Sequence, residues 1–198
     1  MNHELTKDFE WQNKPEELIV HADRVLISTE PKTDLWQRTY YGFQNVNAPA
    51  FLRKVDGDFT FQVKTEYEEA IDLYDQCGVL CFFDDENWIK VSVEYENDAV
   101  RRLGSVVTNL GYSDWASVDI PETTTEMWYR LSRRGQDFYI ESSENGTQFQ
   151  QMRMLHMHKA SEIARVGIYA CSPMDSSFNA VFSEIKIGPC LWKAHSAN

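Results

Sequence analysis

Residues Trp88 to Tyr95 alternate strictly: Ile89, Val91, Val93 and Tyr95 fall on one side, and Trp88, Lys90, Ser92 and Glu94 on the other. Strand side chains point to opposite faces in turn, so this period sets an apolar row in a core and a polar, Trp-bearing row on the other face. The turn-forming run Asp84-Asp85-Glu86-Asn87 joins the strand to Gln76–Phe83. If Phe82 lies opposite Trp88, then Leu80 faces Lys90, Gly78 faces Ser92 and Gln76 faces Glu94. Gln76, Lys90 and Glu94 then share a face, and Gly78 between them leaves room for a ligand or another backbone. With Arg101–Asn109 following, Tyr74 to Trp115 reads as three consecutive antiparallel strands.

The rest of the chain repeats the pattern. Strands are predicted at Val20–Ser28, Phe51–Val55, Asp58–Tyr67, Met127–Arg133, Phe138–Ser143, Phe149–Leu155, Ala164–Ala170 and Asn179–Ile187. Asp56-Gly57, Asn97-Asp98, Arg134-Gly135 and Asn145-Gly146 supply turns between them. Many short strands with few 3.6-period stretches predict a two-sheet sandwich. One helical turn is predicted at Pro15-Glu16-Glu17 and another at Ala160–Ile163. No linker-like run or repeat divides the chain. The last strand, with Phe178, Ala180 and Phe182 alternating against Asn179, Val181 and Ser183, is expected to return beside an early one. The expectation is one domain spanning residues 1–198, a length ordinary for a β-sandwich.

Nineteen basic against thirty-one acidic side chains give a formal charge of −12. Nucleic-acid binding rests on neutralising phosphates with Lys and Arg, so no nucleic acid is expected as a partner. An anionic membrane surface is disfavoured in the same way, and no apolar run approaches the length of a membrane span. The polar start, MNHELTKDFEW, lacks a signal-peptide core, which predicts a soluble, cytoplasmic chain. Cys77 and Cys81 would stand about 13 Å apart along one strand. A disulfide needs Cα atoms within about 7 Å, so these two do not pair with each other, and all four cysteines are expected to be free. Asn145-Gly146-Thr147 has the sequon pattern, but Asn-Gly between strands reads first as a hairpin turn.

Several motifs carry a family resemblance. Tyr74-Asp75-Gln76-x-Gly78, Asp84-Asp85-x-Asn87-Trp88-Ile89-Lys90, Glu94, Ser105-Val106-Val107-Thr108 and Ser113-Asp114-Trp115 resemble the regulation-of-enolase family, a domain of unknown function. The likeness extends to Trp11-x-Asn13-Lys14-Pro15, Thr33-Asp34-Leu35-Trp36, Tyr41-Gly42-Phe43 and Gly167-x-x-Ala170-Cys171-Ser172-Pro173, nearly the whole chain. It implies a concanavalin A-like lectin/glucanase jelly roll of two antiparallel sheets. It also implies a regulatory role, with enolase as partner and carbohydrate metabolism, glycolysis included, as the setting.

Gln76, Trp88, Lys90, Glu94, Asp114, Trp115 and Arg130 are the candidate ligand-binding residues, expected to converge on a concave face as a polar-aromatic pocket. A small carbohydrate-like or metabolite ligand suits such a surface, because an aromatic face gives apolar contact while its rim stays polar. Trp36 and Trp128 read more readily as packing. Glu94 and Glu96 lie on one strand face, roughly 6.5–7 Å apart at Cα, and a retaining glycosidase holds its carboxyls about 5–5.5 Å apart. The third acid of such a run would be Asp98, already in a turn. A sugar-active enzyme using Glu94 or Asp114 as acid/base is therefore the alternative to a non-catalytic interaction protein. Asp84–Asn87 reads as a turn rather than a calcium loop. His156 and His158 share a strand face without a third ligand of metal-type spacing. No metal, no cofactor and no catalytic residue is assigned.

Overall fold

A computed structural model describes residues 7–193. In chain order the strands are β1 (Phe9–Gln12), β2 (Leu18–Val20), β3 (Arg24–Ser28), β4 (Leu35–Gln37), β5 (Gln44–Val46), β6 (Ala50–Asp56), β7 (Phe59–Glu66) and β8 (Gln76–Asp84). They continue as β9 (Asn87–Asn97), β10 (Val100–Asn109), β11 (Tyr112–Pro121), β12 (Glu126–Arg134), β13 (Asp137–Ser143), β14 (Gln150–His156), β15 (Ile163–Cys171) and β16 (Asn179–Gly188). Seven form one sheet in the order β1-β6-β15-β8-β9-β10-β11, and seven form another in the order β14-β13-β12-β7-β16-β3-β2. All pairings within both sheets are antiparallel. This is the two-sheet sandwich expected from the strand pattern, and it agrees with the concanavalin A-like fold that the resemblance implies.

The predicted register between β8 and β9 holds: Gln76 opposes Glu94, Gly78 Ser92, Leu80 Lys90, and Phe82 Trp88. Ile89, Val91 and Val93 lie buried between the sheets, packed with Val79, Val107, Phe61 and Leu131. β16 returns beside β3, with Phe178, Ala180 and Phe182 directed inward. Residues 15–17 and 160–162 form bends and extended chain, not helical turns, and Ile163 already opens β15. Thr33 and Asp75 show how the connections are tied down. Thr33 Oγ1 donates to Glu30 O, and buried Asp75 accepts from the Ser176 hydroxyl at 2.8 Å. The four cysteines are free, and Cys77, Cys81 and Cys171 are buried.

The outer face of the first sheet departs from a simple amphipathic reading. β9 is buried on both faces through most of its length, because the chain between β3 and β6 folds back over it. The β4–β5 hairpin lays Leu35, with Trp36 and Val46 behind it, on Leu80, Phe82, Trp88, Val106 and Tyr169, making a second, smaller core. Gln37 N donates to Ser113 Oγ, Gln37 Nε2 to Asp85 O, and Arg38 reaches Gly111 O and Glu86. The cover is thus stitched to the sheet at one end of β9. At the other end it leaves the face open.

Candidate ligand-binding cleft

The open end is a cavity of about 310 Å³ whose floor is the polar row of β8 and β9. Gln76, Lys90 and Glu94 line it, together with Asp34 from the segment before β4. The Lys90 ammonium donates to Gln76 Oε1 at 2.9 Å and stands 3.5 Å from Asp34 Oδ1. Tyr169 OH donates to the same Gln76 oxygen at 2.9 Å, and Gln76 Nε2 donates to Tyr74 O. Lys90 therefore cannot swing: its side chain is 4% exposed, and both its partners are held by others. Burial by itself would lower the Lys90 pKa, but the carboxylates of Asp34 and Glu94 outweigh it, so the ammonium holds its proton above the ordinary lysine range.

Glu94 is different. Only 7% of it is exposed, yet among the described residues its one hydrogen bond is from Ser92 Oγ at a long 3.5 Å. Burial raises its carboxyl above the usual glutamate range; the Lys90 charge opposes that rise and Asp34 adds to it. A carboxyl with a raised folded-state pKa costs stability once pH passes that pKa, and the cost is absent below the unfolded value of about 4.3. Glu94→Gln is accordingly expected to melt roughly 2–4 °C above the native protein at pH 8. The advantage should vanish near pH 4, as thermal denaturation at the two pH values would show.

The walls are aromatic. Trp36, Tyr41, Phe43, Tyr74 and Trp115 line the cleft, together with Val106, Asn45, Pro173 and Met174. Tyr41 stacks on Phe43 with centroids 5.5 Å apart and meets Trp36 edge-on at 5.7 Å. Trp115 lies over Gly104, where an added Cβ would come 2.9 Å from its indole nitrogen. The loop carrying Tyr41 is strained: Arg38, Tyr40 and Gly42 have φ of 57°, 62° and 77°. Left-handed backbone at non-glycine residues costs about 1 kcal/mol or more each and persists where its surroundings enforce it. Here Arg38 N donates to Phe43 O and Gly42 N to Arg38 O, which fix the loop above the cleft.

Of the sequence-predicted site residues, Gln76, Lys90, Glu94 and Trp115 meet at this cleft. Trp88 shares their face but is wholly buried beneath β4–β5, its indole nitrogen donating to Asp85 O. Asp114 does not join them. It pairs in register with Val107, whose side chain faces the core, and its carboxylate takes Arg153 Nη2 from β14, closing the edge between the sheets. Arg130 lies on the other sheet, where it donates to Gln62 and stacks on Phe149 at 3.5 Å. Glu96 is held by Arg102 at 2.8 Å. His156 accompanies Asp137, and no group of three or more His, Cys, Asp or Glu among the described residues is placed to hold a metal ion. Trp128 leaves the cleft to others, with Lys64 over its ring and a hydrogen bond to Glu184.

Residues 11–190 match a protein family of unknown function, DUF1349. The chain belongs to this family. It is 31% identical over 186 residues to "Regulation of enolase protein 1" of Saccharomyces cerevisiae, covering 93% of this chain and 91% of the relative. A crystal structure of a functionally unknown protein from Saccharomyces cerevisiae superposes with a TM-score of 0.87 at 28% identity, over 94% of this chain and 99% of that one. The GH43 BlXynB protein from Bacillus licheniformis shares the fold alone, with TM-score 0.62 and 14% identity over 89% of this chain and 38% of its own. The cleft of this DUF1349 member is built largely from the stretches that carried the resemblance: Asp34 and Trp36, Tyr41 and Phe43, Tyr74 and Gln76, Lys90, Glu94, Trp115 and Pro173. Sequence reasoning missed Asp34, Tyr41, Phe43 and Tyr74 as site residues and put Trp36 aside as packing. The signal was present in those motifs, but only the hairpin fold-back brings them over β9.

Proposed function

We propose that this chain works by binding rather than by chemistry. In this reading it holds a small carbohydrate-like or metabolite ligand in the cleft and acts as a cytoplasmic regulator in carbohydrate metabolism. Enolase is the partner to which the name of its yeast relative points. The observation that supports a ligand is the cleft itself, a fixed concavity with aromatic walls and a few convergent polar groups, the usual make-up of a small-molecule site. The −12 charge would make association with a basic patch on a protein partner sensitive to salt.

One observation favours the alternative, a sugar-active enzyme. Glu94 is a buried carboxyl with a raised pKa, the property a general acid needs. Asp114 cannot serve beside it, since its side chain lies on the opposite face in the grip of Arg153. Asp34 is the nearest alternative on the floor, and it already serves Lys90 and the Leu35 amide. Trp36 and Trp115 make the cleft self-reporting. A panel of neutral sugars and common metabolites, titrated against intrinsic fluorescence, should contain saturating ligands. Trp115→Ala should weaken them about tenfold or more, as expected for loss of one stacking wall. Failure of every compound, or binding indifferent to Trp115→Ala, would contradict a ligand site here.

A further inference from the structure

The charges of the cleft do not balance, and its walls are largely aromatic. Lys90 is matched by Asp34 and Gln76. Arg102, near the Trp115 ring at 6.0 Å, is matched by Glu96 at 2.8 Å and Asp119 at 3.1 Å. Along the lining one cation, Lys90, thus faces two carboxylates, Asp34 and Glu94. Glu94, buried on the floor, feels the Lys90 charge but makes no ion pair with it, and among the described residues its hydrogen bond comes from Ser92. Removing a carboxylate from water without a full partner is costly, and the cost is relieved when a positive group arrives. A neutral ligand would leave the excess negative charge as it stands, and an anion would worsen it.

The rings argue in the same direction. Trp36, Tyr41, Phe43 and Trp115 line the same cavity as Glu94. An aromatic ring is negative on its face, so a lining rich in such rings suits a cation, most of all one that sheds its water easily. A bare ammonium is tightly hydrated. An alkylated ammonium presents apolar methyl groups to the rings and a diffuse charge to the carboxylate, which suits a cleft whose lining is mostly apolar. The strained, pinned loop that carries Tyr41 holds the enclosure open before any ligand enters, so little ordering accompanies binding.

We infer that the cleft of this protein is selective for a small organic cation, an alkylated ammonium compound, with Glu94 as counter-ion and Trp36, Tyr41, Phe43 and Trp115 as the ring enclosure. The inference rests on the cleft being a ligand site and adds the sign of the ligand's charge. Choline and neohexanol, its neutral carbon isostere, isolate that charge, because the two have nearly the same shape. Calorimetric titration of the full chain should show choline binding at least tenfold tighter than neohexanol, about 1.4 kcal/mol. Glu94→Gln should bring the two compounds level, while Trp115→Ala, a change at a partly exposed residue, should weaken choline about tenfold without unfolding the chain.

Xylose in the same titration separates the two claims. If xylose binds and choline does no better than neohexanol, the cleft remains a ligand site and the cation inference falls alone. If none of the three binds, the inference falls together with the ligand site on which it rests. If choline binds tightly but equally well to Glu94→Gln and Trp115→Ala, it binds elsewhere, and the assignment to this cleft is overturned.

Discussion

Gly78→Ala should lower the melting temperature by about 10 °C, corresponding to roughly 3 kcal/mol, the upper range for overpacking a core. A Cβ at this position would stand 1.8 Å from Val91 O and 2.8 Å from Val91 C. Both are backbone atoms of the neighbouring strand, so the strain cannot be relieved by a rotamer change. β8 and β9 would have to part at the centre of the sheet that floors the cleft. Gly42→Ala is the contrasting case, since nothing lies within 4 Å of its added Cβ and only its φ of 77° resists. That conformational cost is about 1 kcal/mol. Melting followed by circular dichroism should rank Gly78→Ala well below Gly42→Ala. Equal losses would mean that the close approach of the strands is not what glycine serves at position 78.

Lys90→Met is expected to cost about 3–5 kcal/mol at neutral pH, the range for stripping one partner from a buried ion pair. The methionine would fill most of the same volume, so the loss would come from charge. Asp34 and Glu94 would face each other across the floor with no cation between them, and Gln76 Oε1 would keep only the Tyr169 hydroxyl. Burial already raises the Glu94 carboxyl and the Lys90 charge opposes that rise, so without Lys90 Glu94 would take its proton still more readily in the folded state than in the unfolded one. Groups whose folded pKa is raised are most favourable to the fold below the unfolded pKa and lose that advantage as pH rises through the folded value. Relative to the native protein, Lys90→Met should therefore recover as pH falls from 8 towards 4. A deficit independent of pH over that range would assign the loss to packing instead.

The alternation of residues 88–95 predicted the β8–β9 register, because Phe82 and Trp88 flank a short turn, and the many short strands along the chain predicted the sandwich. Neither could show that the polar row would be covered. That depends on β4 and β5, three residues each, too short to display any period, and on the loop between them. β11 was missed for a related reason: it is an edge strand exposed through most of its length, so no core selects an apolar row there. Asp114 and Arg130 were placed at the site on weak grounds, and position along the chain does not reveal which sheet a strand joins. Gly78 was legible as a close-approach site, and its neighbour proves to be the backbone of β9. The helical turn expected from Pro15 failed because proline at a first position permits a helix but does not extend one.

The central claim, that this protein acts by binding, is tested most directly by calorimetric titration with purified enolase at low and at physiological ionic strength. Saturable binding that weakens as salt rises is the expected result, since an acidic chain meeting a basic surface is screened over about 8 Å at physiological salt. No heat of binding in either condition, together with turnover of a sugar substrate that disappears in Glu94→Gln, would contradict the claim and make the cleft an active site.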